Sequence, residues 1–120
     1  MKSIFVLLIA LGCFSIAGAQ DTIKLEQVKQ HVGDSVIVCG RVDDTHYLVT
    51  ADNSPTFLNM GGVYPKQLLT VVIWADAREQ IKGKPEADFK NKNICITGKI
   101  ELYKGNLQIV IKKAEQIKLQ

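Results

Sequence analysis

The chain has 120 residues with 15 basic and 12 acidic side chains, so its formal net charge is +3 at neutral pH. A charge this small excludes a dedicated nucleic-acid packaging protein, which would be far more basic. No charge block or low-complexity tract interrupts the sequence, and its hydrophobic residues suffice for the core of one small globular domain.

The N-terminus has the pattern of an export signal. Lys2 supplies a positive start, residues 4–11 (IFVLLIAL) form a short apolar core, and residues 17–19 (AGA) have the small side chains that signal peptidase recognises. The apolar stretch is too short to be a stable bilayer anchor. We therefore expect residues 1–19 to be a signal peptide that is cleaved before Gln20, which predicts a periplasmic or secreted protein.

Export bears on the cysteines. Cleavage would remove Cys13, unless that residue is the lipid-anchored cysteine of a lipoprotein, which is the alternative interpretation. The predicted mature domain, residues 20–120, then contains Cys39 and Cys95 and has a net charge of +2, because Lys2 leaves with the signal. An even pair of cysteines in an exported protein is more often bridged than free.

The mature sequence alternates as β-strands do, with little helix. Its first predicted element is a short amphipathic helix over residues 23–32, which Gly33 ends. Residues 86–89 predict a second short helix. The strand predictions are residues 34–42 with a continuation at 46–50 after a break at Asp43 and Asp44, then 56–60, 68–75, 93–103 and 106–113, followed by a tail at 114–119 that has the pattern of an edge strand.

Two segments indicate how the strands close. Residues 36–42 (VIVCGRV) and 94–100 (ICITGKI) share one pattern, and Gly40 and Gly98 mark a bend in each. Five strands with a helix between the third and fourth are the order of the oligonucleotide/oligosaccharide-binding (OB) fold. We therefore predict an all-β domain with one or two short helices, a five-stranded OB-fold Greek-key barrel.

In such a barrel the first and fourth strands are antiparallel neighbours. With the valines of the first strand and the isoleucines of the fourth pointing inward, Cys39 and Cys95 lie on the same outer side. A cross-strand disulfide forms if the register places these two residues opposite each other. We expect that disulfide.

Three runs of the sequence are similar to a group of small exported bacterial OB-fold domains that are sometimes joined to nuclease domains. The runs are QHVGDSVIVCGRV, PTFLNMGGVYPKQLLTVVIW and ICITGKIELYKGNLQIVI. The resemblance covers nearly the whole predicted mature chain. It implies the OB fold, and it implies nucleic-acid binding as an expectation.

OB domains hold single strands by stacking bases on aromatic rings while lysines and arginines follow the phosphates. The candidate nucleic-acid-binding residues are Arg41, Tyr47, Tyr64, Lys66, Trp74, Lys99, Tyr103 and Lys104. Phe57 and Trp74 also lie in apolar strands, so packing inside the barrel is their alternative role. A module that binds a protein or a glycan of the cell envelope is the alternative function.

Catalytic patterns are missing from the sequence. It contains no Ser/His/Asp arrangement, no HExxH motif and no phosphate-binding GxxxxGK[ST] loop. Nucleases of the staphylococcal type place two arginines beside a cluster of acidic metal ligands, whereas Arg41 and Arg78 have no such cluster spaced with them. A zinc site would need closely spaced pairs of ligands, which the histidines and cysteines do not provide. We expect a non-enzymatic protein without cofactor or metal.

Overall fold

The computed structural model describes residues 20–120, so the predicted signal peptide at residues 1–19 lies outside the described residues. Within the described part, no helix is long and apolar enough to cross a membrane. The strands are β1 (Thr22–Lys24), β2 (Ser35–Tyr47), β3 (Thr56–Met60), β4 (Leu69–Ile73), β5 (Asn93–Lys99), β6 (Glu101–Tyr103), β7 (Asn106–Ile111) and β8 (Ile117–Leu119). The helices are α1 (Ala75–Arg78) and α2 (Pro85–Asp88), with 3₁₀ turns at Leu25–Gln30 and Ala114–Gln116.

All the described strands belong to one sheet, in the order β6-β7-β4-β3-β2-β5-β8, while β1 pairs in parallel with β2. The prediction of five strands in a closed barrel is therefore wrong in two respects. The sheet has eight strands, and its hydrogen-bonded ladder does not close into a ring. The predicted fourth strand is divided into β5 and β6 by Ile100, so one part pairs with β2 and the other with β7.

The prediction of one amphipathic helix over residues 23–32 is also wrong. Its first residues form β1, and Leu25–Gln30 is a 3₁₀ helix. The apolar residues explain this, because Leu25 and Val28 are three positions apart and lie above one another in a helix of three residues per turn. Both are buried, whereas Val32, which the longer helix would have placed on the same face, is exposed.

The predicted break in the first strand is also wrong. β2 runs without interruption through Asp43 and Asp44, and its register against β3 shifts between Val42 and Asp44. Such a bulge fits an extra residue into one strand and re-aims the side chains beside it. The two consecutive aspartates, which the sequence analysis interpreted as a break in the strand, therefore mark a β-bulge.

The core confirms the predicted inward faces. Val36 and Val38 of β2 and Ile94 and Ile96 of β5 are almost fully buried. The glycine of each strand lies opposite a β-branched residue of the other, Val36 opposite Gly98 and Gly40 opposite Ile94. The matched glycines thus lie at the predicted contact between the two strands.

The predicted disulfide is present. Cys39 and Cys95 are directly opposed in the β2–β5 pair, with a Cα–Cα distance of 4.0 Å and their sulfur atoms bonded. Lys24 of β1 and Lys118 of β8 flank them in the same row across the sheet. The bridge joins the two strands on their outer side, as the alternation of residues predicted.

Candidate nucleic-acid interface

The outward face of β3, β4 and β7 forms a groove of about 510 Å³. It exists because these strands alternate, with Leu58 and Val71 in the core and their neighbours pointing outward. The residues that line it are His46, Leu48, Phe57, Asn59, Tyr64, Gln67, Thr70, Val72, Trp74, Tyr103, Asn106 and Gln108.

Three of the sequence-predicted ligand residues meet in this groove. Tyr64 is 61% exposed, Trp74 38% and Tyr103 55%, so each ring offers surface to a ligand. Tyr64 comes from the loop after β3, Trp74 from the junction of β4 and α1, and Tyr103 from the end of β6. Phe57 also lines the groove and is half-buried, which makes it part of the floor.

A polar row crosses the same face of the sheet. Directly opposed residues of β2, β3, β4, β7 and β6 form it, in the order Asp44, Asn59, Thr70, Gln108 and Glu101. Opposed residues of neighbouring strands point to the same side of a sheet. The row therefore places neutral amide and hydroxyl groups between two carboxylates.

Part of this row is satisfied internally. Asn59 donates from Nδ2 to Asp44 at 3.1 Å and accepts at Oδ1 from the Thr70 hydroxyl at 2.8 Å. The Thr70 hydroxyl in turn accepts from Gln67 Nε2 at 2.9 Å, and Oε1 of Gln67 is buried without a partner among the described residues. Because a carboxylate only accepts, Asp44 fixes the direction of the whole chain of hydrogen bonds.

The loop that carries Tyr64 is tied to the bulge in β2. The backbone N–H of Gly62 donates to Asp43 at 2.8 Å, and that of Tyr64 donates to Asp44 at 3.1 Å. Gly62 has a φ of +136°, and a Cβ there would lie 2.7 Å from the carbonyl oxygen of Lys66, so the position requires glycine. The two aspartates therefore hold an aromatic wall of the groove in place.

The environment of Asp44 is strongly hydrogen-bonding. Partial burial raises its pKa, but the hydrogen bonds from the Tyr64 backbone, from Asn59 and from His46 outweigh that effect. The net result is a pKa below the ordinary value for an aspartate. Asp44 therefore stays ionised at neutral pH and keeps its role as an acceptor.

Two other candidates, Arg41 and Tyr47, have partners inside the protein. Arg41 pairs with Asp43 at 3.1 Å and donates to Asn91 at 3.3 Å. The ring of Tyr47 is covered by the guanidinium of Arg78, whose Cζ lies 3.7 Å from the ring centroid. Neither residue is among those that line the groove.

The Arg78 cluster was not anticipated from the sequence. Arg78 pairs with Glu86 at 2.7 Å and also donates to Thr56 at 2.8 Å, which connects α1, α2 and β3. The hydrogen bond from Arg78 lowers the pKa of Glu86, although partial burial opposes this, and the same bond raises the pKa of Arg78. The guanidinium is therefore committed to the fold.

The candidate lysines divide by position. Lys66 and Lys104 are exposed and adjoin the groove. Lys66 lies two positions after Tyr64 in the sequence, and Lys104 directly follows Tyr103. The Nζ atom of Lys104 lies 5.3 Å from the centroid of the Tyr103 ring. Lys99 is exposed at the end of β5, which contributes no residue to the groove.

Sequence reasoning missed the polar half of the lining. Asn59, Thr70 and Gln108 carried no motif, and the signal that finds them is the alternation within β3, β4 and β7 combined with strand order. Neither lysine nor arginine is among the lining residues. In the described part of the chain, no three histidine, cysteine, aspartate or glutamate side chains come together as a group that could hold a metal ion.

Solved structures with the same architecture include a protein described as an aspartyl-tRNA synthetase from Leishmania major Friedlin. It matches with a TM-score of 0.52 and 9% identity over 92% of this chain, which spans 22% of that protein. The hypothetical protein ygiW from E. coli matches with a TM-score of 0.46 and 16% identity, over 92% of this chain and 100% of that one. No protein-family model and no curated protein matches the sequence. The likeness to the synthetase concerns the fold, and it is consistent with an OB domain.

Proposed function

We propose that the protein is an exported, non-catalytic OB-fold domain that binds a short segment of single-stranded nucleic acid in the groove of β3, β4 and β7. The five strands of an OB fold would correspond to β2, β3, β4, β5 together with β6, and β7. The observation that carries the proposal is the meeting of Tyr64, Trp74 and Tyr103 around one groove. The likeness to a synthetase adds only the fold, so the proposal depends on this site.

The groove is suited to bases more than to phosphates. Each base stacked on an aromatic ring contributes about 1–3 kcal/mol, and the three rings provide such surfaces. Amide side chains on the floor offer donors and acceptors to base edges, which single strands leave accessible. The phosphates would remain at the rim, where Lys66 and Lys104 are exposed.

This division predicts a weak dependence on salt. The logarithm of the affinity for a single strand falls by about 0.7 per neutralised phosphate for each tenfold rise in salt. Two rim lysines would give a slope of about −1.4, since Arg41 and Arg78 already pair with carboxylates. A packaging protein that neutralises many phosphates would have a much steeper slope.

Trp74 makes the test direct, because it is the only tryptophan of the chain and it lines the groove. We expect a single-stranded oligonucleotide to quench its fluorescence in a saturable titration. Tyr103→Ala should weaken binding by about fivefold or more, the loss of one stacked base. Leu102→Ala is the matched control, because Leu102 is 63% exposed on the same strand outside the groove. Equal affinity of the two variants would overturn the assignment.

A neutral glycan is the second candidate, and one specific observation favours it. Among residues 20–120, no lysine or arginine lines the groove, while aromatic rings and amides do. A titration with neutral oligosaccharides, read by the same tryptophan, decides between the two. Saturable quenching by a glycan together with none by an oligonucleotide would replace the nucleic-acid proposal.

The cysteine pair supports export. The disulfide between Cys39 and Cys95 is compatible with an oxidising compartment, where such bonds persist. N-terminal sequencing of the protein recovered from its native cell should begin at Gln20. Recovery of an intact N-terminus would contradict the proposed signal peptide.

A further inference from the structure

The polar row on the groove face contains one member whose amide makes no hydrogen bond to protein. Asp44, Asn59 and Thr70 bond to one another, and Thr70 completes its bonding with Gln67. Within residues 20–120 the side-chain amide of Gln108 has no hydrogen-bond partner, although it is the direct neighbour of Thr70 in the β4–β7 pair.

Gln108 is also well placed for contact with a ligand. It lines the groove, is half-buried, and lies on the same strand as Asn106, which pairs with Tyr103 across the hairpin. A base stacked on Tyr103 would therefore present its edge near β7. A glutamine amide can form two hydrogen bonds at once with a base edge.

Glu101, the neighbour of Gln108 on β6, favours one orientation of the Gln108 amide. Glu101 is directly opposed to Gln108 in the β6–β7 pair and points to the same side of the sheet. Its carboxylate attracts the amide N–H groups and repels the amide oxygen. Thr70 adds no donor, because its hydroxyl hydrogen goes to Asn59. The amide oxygen of Gln108 is thus directed to the ligand as an acceptor.

We propose that Gln108 determines base specificity and that, with Glu101 beside it, the groove prefers adenine and cytosine over thymine and uracil. The Watson–Crick edges of adenine and cytosine combine an amino donor with an adjacent ring-nitrogen acceptor, which matches the oxygen and the N–H of a glutamine amide. An amino group donates to the amide oxygen of Gln108. The carbonyl at the same place in thymine or uracil would face an acceptor and a nearby carboxylate. This proposal rests on the function proposed above.

The test compares short oligomers of dA, dC and dT on the full domain by Trp74 fluorescence. We expect dA and dC to bind at least about fivefold more tightly than dT, the lower end of what a two-hydrogen-bond contact to a base contributes. Gln108→Met keeps the length of the side chain and should reduce this preference below about twofold, mainly by weakening the binding of dA and dC. Gln30→Met, at an exposed glutamine on the first 3₁₀ helix, is the matched control and should keep the preference.

A second variant tests the part played by the carboxylate. Glu101→Gln changes an exposed residue, so folding is not at risk, and it should lower the preference while binding persists. Equal binding of the three oligomers by the unmodified protein, or a preference that survives Gln108→Met, would overturn the specificity proposal alone. Absence of binding by every oligomer would overturn the proposed function together with it.

Discussion

At the residue scale, one partly buried charged cluster joins several elements of the fold. Arg78 joins Glu86, Thr56 and the ring of Tyr47, and all these contacts are partly shielded from water. A shielded, charge-assisted hydrogen bond contributes more to stability than an exposed ion pair. The cluster holds α1 and α2 against β3, beside the groove.

Removal of one partner tests this role. Glu86→Ala should lower the free energy of unfolding by about 1.5–3 kcal/mol, because the hydrogen bonds from a charged guanidinium are lost. Glu79→Ala, on an exposed glutamate without an ion pair among the described residues, should change it by less than about 0.5 kcal/mol. Chemical denaturation of both variants gives the comparison, and equal losses would contradict the role of the cluster.

Acid should have the same effect as the substitution. The pKa values of Glu86 and Asp44 are lower in the folded protein than their ordinary values of 4.5 and 3.8. The stability that these carboxylates contribute is therefore fully present above about pH 4.5 and is lost as the pH falls through their folded-state values. Unfolding curves between pH 7 and pH 2 should show the Glu86→Ala difference shrinking toward the acid end, and a constant difference would contradict it.

At the scale of elements, the bulge in β2 connects the sheet to the loop that carries Tyr64. Asp43 and Asp44 accept hydrogen bonds from Gly62 and Tyr64, so the loop after β3 takes its position from a strand that precedes it. A bulge can re-aim side chains in this way because it adds one residue to one strand. The two consecutive polar residues within this strand are thus explained by their hydrogen bonds to the loop that carries Tyr64.

Substitution of each aspartate should free the backbone N–H group that donates to its carboxylate. Asp44→Ala should increase hydrogen exchange at the Tyr64 N–H most, while Asp43→Ala should increase it at the Gly62 N–H most, because each carboxylate accepts from one of the two. The Asp44 variant should also bind oligonucleotide up to about tenfold more weakly, within the contribution of one stacked ring. Unchanged exchange at Tyr64 in Asp44→Ala would exclude the anchoring role.

Close packing between strands predicts a second contrast. A Cβ on Gly98 would lie 2.6 Å from Cγ2 of Ile109, whereas one on Gly40 would lie 3.1 Å from the flexible end of Leu25. Gly98→Ala should therefore cost about 1–3 kcal/mol of stability by overpacking, and Gly40→Ala less than about 1 kcal/mol. Thermal unfolding of the two variants ranks them, and the reverse order would contradict the packing described.

For the whole molecule, the disulfide and the groove lie on different strands of one sheet. The bridge joins β2 to β5, while the groove is lined chiefly from β3, β4 and β7. The bridge encloses a sequence separation of 56 residues, which corresponds to about 4 kcal/mol in the chain-entropy account. A change at the disulfide should therefore affect the stability of the domain without altering the groove.

Removal of both cysteines should show this separation. Cys39→Ser combined with Cys95→Ser should lower the free energy of unfolding by about 4 kcal/mol, less any strain released, while the affinity of the folded fraction for oligonucleotide stays the same. Denaturation and tryptophan titration on the same sample measure both quantities. A large loss of affinity without a loss of stability would contradict the account.

Much of this fold could be predicted from local pattern, and the failures have physical causes. Val36, Val38, Ile94 and Ile96 alternate as buried strand residues do, so the sequence predicted these strands and placed both cysteines on their outer side. The register that brings the two sulfur atoms together was not predictable from the alternation. β8 lies in the tail whose pattern predicted an edge strand, and it pairs with β5. β1 has three residues and arises from pairing with β2, which no local pattern encodes. The local apolar spacing therefore predicted a helix from residue 23 onward, whereas pairing with β2 makes residues 23 and 24 part of a strand.

The site was predictable in its aromatic half only. In the sequence, Tyr64 and Tyr103 stand out as aromatic residues near turns and Trp74 as one near the end of an apolar strand, and all three line the groove. Asn59 and Gln108 stand apart in sequence and meet in one row only after the register of four strands is fixed. Strand alignment is a long-range property, so a single sequence read locally does not reveal the row.

If ligand binds on the outward face of β3, β4 and β7, backbone amide shifts measured by NMR during an oligonucleotide titration should map that face. The largest changes should occur at Phe57, Thr70, Trp74 and Gln108, with small changes at Cys39, which lies in the β2–β5 part of the sheet and does not line the groove. Largest changes around Cys39 on β2 and β5, with the groove unaffected, would contradict binding on that face.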